Sequence, residues 1–395
     1  MILESAPRAD GVLIVGGGVI GAATAYFLAA RHGLRATVLE RDPAYLRASS
    51  ALSASSIRQQ FSSEINIRLS QHSLAFYRHI GDELALDDVR PDIGLTERGY
   101  LFLATEAGAA TLRANHEVQR ACGVPARLLT PAGLRARLPW LNTAGIAAAC
   151  IGEGGEGWFD GYSVLAAFRR KAIALGTTFE SAAAERIEIG AGPSVRITCT
   201  DNRRFAGDAL LIAAGAWSAP LAAQLGFDLP VRARKRDVFV LTSPAELPGC
   251  PLVIDPTGVW FRPEGRGFIA GAPPRGDDVD DAPLEAIDHG LFDEVIWPAL
   301  AHRVPAFEAL RASSAWAGYY EYNTFDQNGI VGRVPGSTNA FIGCGFSGHG
   351  IQQAPAVGRA LAELIARGRY ETLDVSPLDP RRIVEDRPLL ERNVI

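Results

Sequence analysis

Sulfur, repeats and surplus positive charge are all scarce in this sequence, and each scarcity removes a class of protein. The five cysteines, Cys122, Cys150, Cys199, Cys250 and Cys344, are odd in number and scattered, with no CxxC pair. That excludes a disulfide scaffold and argues against a zinc site; no metal is expected, and the thiols read as free and buried in a reducing compartment. Thirty-nine basic residues against 44 acidic ones leave a net charge of −5, which offers no footprint for nucleic acid or anionic lipid. No internal repeat or low-complexity tract interrupts the chain. Only Val12 to Ala30 is apolar over a length that raises the question of a membrane, so a cytoplasmic protein is expected, and one methionine among abundant Ala and Arg gives the composition a bacterial cast. What is present is globular: 48% hydrophobic and 21% charged residues over 395 positions exceed what one simple core usually supports, and two intimately joined domains are expected.

The stretch Asp10 to Arg41, DGVLIVGGGVIGAATAYFLAARHGLRATVLER, organises the rest. A short apolar run, Val12 to Val15, meets Gly16-Gly17-Gly18-Val19-Ile20-Gly21, then a helical pattern to about His32, then a second run, Ala36 to Leu39, closed by Glu40. Strand, glycine turn, helix and strand with a terminal acid is the layout that holds a dinucleotide. Gly16 permits the turn, Gly18 lets the main chain approach a pyrophosphate, and Gly21 lets the helix lie on the strand. The free amides and positive end of that helix, at Val19 and Ile20, face the diphosphate. Glu40 can accept from both ribose hydroxyls and would repel a 2′-phosphate, so FAD or NAD is favoured over NADP. A spanning helix or signal peptide fits poorly, because three adjacent glycines disfavour the former and Asp10 stands where the latter has basic residues.

Further along, Asp42 to Ser56 is a polar loop with Ser49, Ser50, Ser53, Ser55 and Ser56, able to close over a phosphate or a flavin edge and equally readable as a plain solvated loop. Ser62-Ser63-Glu64 opens a helix to about Leu84, and Ile93 to Leu103 reads as a hairpin around Thr96-Glu97-Arg98-Gly99. Helices are expected near 106–121, 130–137 and 162–175, the second with Thr130-Pro131 as its cap pair. Phe179 to Ile189 and Ser194 to Thr200 read as strands flanking Gly190-Ala191-Gly192-Pro193, and Ala209 to Ala213 as a strand ending in Ala214-Gly215-Ala216-Trp217. From Val231 short strands broken by Gly and Pro (237–242, 252–255, 259–262, 268–271) suit an antiparallel meander, followed by a solvated acidic loop at Asp277 to Asp281. A helix at 284–301, strands at 315–322, 330–332 and 340–343, the turn Gly345-Phe346-Ser347-Gly348-His349-Gly350 and a helix over 352–366 follow. The tail after Asp374 is polar and proline-rich and carries no signal. The first domain is thus interrupted twice: 10–90, 150–230 and 325–375 form one domain, 91–149 and 231–324 the other, and 376–395 the tail.

The N-terminal unit, the serine loop, Ala214-Gly215-Ala216-Trp217 and the turn at 345–350 resemble the FAD-dependent D-amino-acid oxidase superfamily, which includes monomeric sarcosine oxidase, glycine oxidase and dimethylglycine dehydrogenase, over nearly the whole chain. Ser56-Ile57-Arg58-Gln59-Gln60-Phe61 and the segment Trp316 to Gly329 are similar to a branch that includes the mitochondrial FAD-dependent flavoprotein associated with complex I assembly. The resemblance implies an α/β fold, a Rossmann-type FAD-binding domain with an interleaved antiparallel-sheet substrate domain. It implies Gly16, Gly18 and Gly21 at the pyrophosphate, Glu40 and Arg41 at the ribose, Ala184 beside the adenine, and Ser49, Ser50, Ser55 and Arg58 along the flavin. Ala214, Gly215 and Trp217 belong to the same frame, and Gly345 to Ile351 to the flavin's pyrimidine edge. Tyr320 stands where sarcosine oxidase has its flavin-linking cysteine, and only Ser and Ala stand where dimethylglycine dehydrogenase has its linking histidine, so non-covalent FAD is implied. Ile269 and Gln352 replace the lysines that sarcosine oxidase uses for oxygen and for the substrate carboxylate.

Oxidising a C–N bond requires a neutral amine, its Cα–H held at the flavin, and a grip on the remainder, usually by a cation. Arg262 reads either as that carboxylate clamp or as a surface arginine in a salt bridge. Tyr320 and Tyr322, alternating with Glu321, read as pocket walls or core residues, and His349 as a turn residue or a base. Arg58 and Gln352 complete the catalytic candidates. The expected activity is oxidation of a small amine or amino acid, N-substituted or D-configured, to an imine. Electrons would leave to oxygen, a quinone or an electron-transfer protein, a dehydrogenase being favoured over an oxidase. The alternative is an assembly or scaffolding flavoprotein whose FAD is structural.

Overall fold

In the computed structural model, which describes residues 11–190 and 194–392, the glycine-rich front folds as strand Val12–Val15, helix Val19–His32 and strand Ala36–Glu40. Asp10 and the residues 191–193 of the expected turn lie outside the described residues. The two strands pair in parallel, Ile14 opposite Val38, inside a six-stranded sheet that runs Ile330–Arg333, Ala340–Cys344, Ala209–Ile212, Val12–Val15, Ala36–Glu40 and Thr178–Ser181. All neighbours are parallel except the first pair. The strands from Val12, Ala209 and Ala340 are buried throughout, as expected where layers cover both faces.

The first helix explains why the front mimicked a membrane span. It is buried from Val19 to Leu28 because the helices Gly161–Ala174 and Gly350–Arg367 pack against it while the sheet lies beneath. It ends at Gly33, left-handed at φ 66°, with Leu34 donating back to the Leu28 carbonyl at 3.0 Å. Among the described residues no helix is long and apolar enough to cross a membrane.

The second large sheet has eight strands in the order Arg311–Asn323, Val231–Thr242, Gly267–Gly271, Trp260–Glu264, Leu252–Ile254, Tyr100–Ala104, Ala148–Gly152 and Ala126–Leu129. Only Leu252–Ile254 and Tyr100–Ala104 pair in parallel. Its core, with Phe239, Phe261, Phe268 and Phe307, is covered by the segment His289–Ala309.

Several sequence expectations give way here. Ile93 to Leu103 makes no hairpin: Thr96 bridges Trp158, and Tyr100–Ala104 pairs with Ala148–Gly152 and Leu252–Ile254. Long-range partners outbid the local turn. The strand expected from Phe179 to Ile189 breaks at Ala182-Ala183, its first half closing the parallel sheet and its second, Ala184–Ile189, joining a separate three-stranded sheet. The helix expected to Leu84 stops at Arg78, and the Ser63 hydroxyl, instead of capping it, donates to Glu391 Oε2 at 2.9 Å. The helix expected over 284–301 starts at His289 and widens into a π turn at Phe292–Ile296, just ahead of Pro298, which has no amide to donate. The acidic loop is not merely solvated, since Asp278 grips Arg236 and Asp280 pairs with Arg234.

The tail carries the largest surprise. Arg382 and Asp326 form a fully buried fork, Nε to Oδ2 at 2.7 Å and Nη2 to Oδ1 at 3.0 Å, while Asp326 also takes the Leu389 amide at 3.0 Å. Glu391, likewise buried, accepts from the Ser62 amide at 2.7 Å and from Asn66 at 3.1 Å. Apolar periodicity cannot announce such contacts, because the polar side chains make them.

Candidate active site

One cavity of about 800 Å³ runs from the glycine turn to the eight-stranded sheet. At its front, backbone sterics dictate the shape. Gly16 sits at φ 103°, and a Cβ there would lie 2.3 Å from the Ala213 carbonyl oxygen; a Cβ on Gly21 would lie 2.0 Å from the Gly16 carbonyl oxygen. Strand and helix therefore meet at distances only glycine permits. Gly16, Gly18, Val19 and Ile20 line the cavity, whereas Gly21 stays behind it as packing. Glu40 lines it too, with Oε2 accepting the Gly17 amide at 2.7 Å and Oε1 the Asp42 amide at 2.8 Å. Burial pushes its carboxyl above the ordinary range, against the pull of those amides. Arg41 lies over the Trp217 ring at 3.9 Å, and Ala184, freed by the strand break, faces the same end.

The serine loop is not a plain loop. Ser49–Leu52 forms a helical turn, and Ser49, Ser50 and Ser55 all line the cavity, Ser55 in a left-handed conformation at φ 51°. Opposite, Ala214, Gly215 and Trp217 follow the strand Ala209–Ile212, and Ser347, Gly348, His349, Gly350 and Ile351 open the helix Gly350–Arg367. Gly345 and Phe346 sit behind that wall, Phe346 fully buried. Among the described residues the Ser49 hydroxyl and His349 Nε2, on two residues that line the cavity, find no hydrogen-bond partner. A glycine cradle, amides at a helix start and unsatisfied donors around one elongated space fit a dinucleotide with a polar ring.

The sheet supplies the far wall: Tyr100, Leu252, Ile254, Trp260, Tyr320 and Tyr322 line the cavity, and Arg236 reaches it beside Tyr320, 5.1 Å above the ring. Tyr322 accepts from Gln327 Nε2 at 2.6 Å. Gln352 Oε1 accepts the Arg58 amide at 2.9 Å. The Arg58 guanidinium, 4.0 Å above Phe61, donates to the Gln60 carbonyl at 2.6 Å. Burial first, and then the charge of Arg58, press the His349 imidazole well below its usual pKa, so it is neutral across the physiological range and its ring rests on Phe61 at 5.3 Å. Of the two readings of Arg262, its place here fits the salt-bridged arginine, though a buried one, rather than the clamp. It does not line the cavity; its guanidinium binds the Ala54 carbonyl at 2.7 Å, pairs with Glu264 and lies over Trp158, pinning the serine loop to the sheet.

Sequence reasoning passed over two acids. Glu156, buried among glycines, accepts from the Gln59 amide at 2.7 Å, the Gln60 amide at 3.0 Å and the Gln60 side chain at 2.8 Å, fixing the segment that carries Arg58. Glu321 lines the cavity although alternation with two tyrosines placed it on the opposite face. A lone acid inside Gly154-Gly155-Glu156-Gly157 was the available hint for the first; nothing local marked the second. All five cysteines are free and buried, none lines the cavity, and among the described residues no His, Cys, Asp and Glu cluster could hold a metal ion.

Comparison with known proteins agrees with this geometry. The chain is 44% identical to FAD-dependent oxidoreductase domain-containing protein 1 of Xenopus laevis, covering 98% of this chain and 85% of that protein. It is 29% identical to glycine oxidase of Geobacillus kaustophilus, over 94% of this chain and 96% of that one. The crystal structure of L-proline dehydrogenase from P. horikoshii superposes with a TM-score of 0.83 at 27% identity, covering 97% of this chain and all of that one. The FAD-dependent oxidoreductase (DAO) family model matches residues 11–364, and with the fold and the relatives in agreement, the chain belongs to that family.

Proposed function

We propose that the protein oxidises the C–N bond of a small amine or amino acid, using non-covalently held FAD, to an imine that water then hydrolyses. The observation that carries this reading is the continuity of the cavity: the same space touches the glycine cradle at Gly16 and Gly18 and the aromatic sheet wall at Tyr100, Trp260, Tyr320 and Tyr322. A cofactor in the front half leaves room for a substrate at the back. FAD supplies the acceptor for the hydride that leaves the substrate carbon as the nitrogen lone pair forms the C=N bond. The chain's residues would do the rest. The tyrosine and tryptophan faces orient an apolar substituent, and Arg236 is the cation that meets a substrate carboxylate, displacing Asp278 from its fork, now held at 2.8 Å on both nitrogens. His349, neutral and buried, holds its place as a turn residue and can offer or accept one hydrogen bond at Nε2. Non-covalent binding is supported by the wall itself: among the described residues no cysteine lines the cavity, and its one histidine, His349, is packed against Phe61. Glycine oxidase and 4-methylaminobutanoate oxidase among the relatives support an amine or amino-acid substrate.

A second reading, a scaffolding flavoprotein, draws on the internal pairing of Arg236 with Asp278 and of Arg262 with Glu264, which leaves little converging charge for a substrate. Anaerobic mixing of the FAD-loaded protein with a panel of N-methyl and D-amino acids separates the two. Bleaching of the flavin absorbance by at least one compound is expected; a panel that leaves the colour intact overturns the enzymatic reading.

A further inference from the structure

Glu321 is an acid in an unusual position. It lies on the long strand Arg311–Asn323, and its carboxylate sits between the two small-residue turns that open onto the cavity. A Cβ on Gly350 would come 3.1 Å from Oε1, and one on Gly215 3.6 Å from Oε2. Its Oε2 accepts the Gly345 amide at 3.1 Å, and the Phe346 amide helps more weakly. Among the described residues it forms no ion pair, unlike Asp237 on the neighbouring strand, which has Lys235 at 3.3 Å. Water in the cavity is therefore its chief remaining solvent. A ligand filling that space removes the water and supplies no cation.

We propose that Glu321 is a further cofactor-binding residue, one that meets the bound dinucleotide as a neutral acid, so that above neutral pH each FAD bound draws up to one proton onto the protein. The inference rests on FAD occupying this cavity. Burial already lifts the carboxyl to a pKa of about 7, against the amides of Gly345 and Phe346, and displacement of water lifts it further. Carboxyl protonation also converts Glu321 from an acceptor into a hydrogen-bond donor, the kind of group that carbonyl and ring-nitrogen acceptors require.

His349, Cys344 and Tyr320 beside it are each shifted away from that window. His349, on the adjoining turn, stays neutral, because burial and Arg58 push it down. Cys344, just before the turn, is pushed up by burial and by Glu321 itself, and burial raises Tyr320 as well. Across the sheet Ala233 stands opposite, flanked by Arg232 and Arg234, both paired with Asp280. On a third side the turn at Gly215 approaches it, and Trp217, two residues further on, carries Arg41 stacked on its ring. The Tyr322 hydroxyl is held by Gln327, and Arg236 by Asp278.

The test is FAD affinity of the apoprotein between roughly pH 6 and 9, read by fluorescence quenching, for wild type and Glu321→Gln. Wild-type affinity should be level below about pH 7 and then fall by up to about tenfold per pH unit, while Glu321→Gln stays level, since its amide is always neutral. The same pH dependence in both proteins overturns the inference and leaves the proposed function standing; no FAD binding by either at any pH overturns both. Should the variant fail to fold, proton uptake by wild type in weakly buffered solution near pH 8 decides: close to one proton per FAD supports the inference, and none removes it.

Discussion

The front turn at Gly16 to Gly21 and the rear strap from Ser376 to Arg392 serve the same cavity by opposite means. At the front the main chain is forced into place by contacts no side chain could survive, 2.0 and 2.3 Å from a hypothetical Cβ. At the rear side chains do the fastening: Arg382 to Asp326, and Glu391 to Ser62, Ser63 and Asn66. Asp326 in turn accepts from the Asn323 side-chain amide at 2.7 Å, and the Asn323 backbone amide donates to the Ser347 hydroxyl at 3.0 Å, so the strap reaches the glycine turn at 345–350 through two links. The difference is one of tolerance. A steric fit fails at a single added methyl; a polar network degrades by one partner at a time.

Substitutions can break that contrast, and the largest effect belongs at the front. Gly21→Val should abolish FAD retention or folding outright, seen as a colourless or aggregated product, because the added carbon collides with backbone that the strand Val12–Val15 cannot release. Retention of the flavin would show that the turn yields. At the rear, Arg382→Met leaves Asp326 charged and buried and should cost about 3–5 kcal/mol in denaturant unfolding. The paired change Arg382→Met with Asp326→Leu should recover part of it, since the charge and its orphaned partner leave together.

Glu321 gives a smaller effect with a defined sign. Its folded-state pKa, about 7, lies above the ordinary carboxyl value of 4.5. The stability this preference for the neutral form provides is fully present below the unfolded value and is lost as pH rises through 7. Glu321→Gln apoprotein should therefore match wild type near pH 4.5 and exceed it above pH 7 by up to about 3 kcal/mol, measured by unfolding at two pH values. The smallest change is expected from Arg262→Met. As a fastener of Ala54 rather than a substrate clamp, it should lower Tm by roughly 2–4 °C and leave KM within about threefold. A large rise in KM with Tm unchanged would restore the clamp.

How much of this was legible in the sequence follows the same division. The dinucleotide cradle, the parallel strands and the glycine turn at 345–350 could be read because spacing and apolar periodicity are local. The antiparallel meander was legible in outline, though Thr96 to Gly99, a plausible hairpin by composition, surrendered its partners to Trp158, Ala148–Gly152 and Leu252–Ile254. The tail was opaque: Arg382, Leu389 and Glu391 look like any polar terminus until residues more than fifty positions away meet them. Glu321 was passed over for a related reason. Strand alternation tells which face a side chain takes, but not that the cavity curls around both faces of the strand end near Tyr320 and Tyr322.

The placing of Ala340–Cys344 beside Ala209–Ile212, and of Gly350–Arg367 upon the first helix with Gly358 against Ala23, has a consequence for how the molecule is made. During synthesis the oldest segment waits, one flank bare, for tens of seconds until its final neighbours leave the ribosome. A nascent chain therefore cannot close the cradle before residues 340–367 have been made.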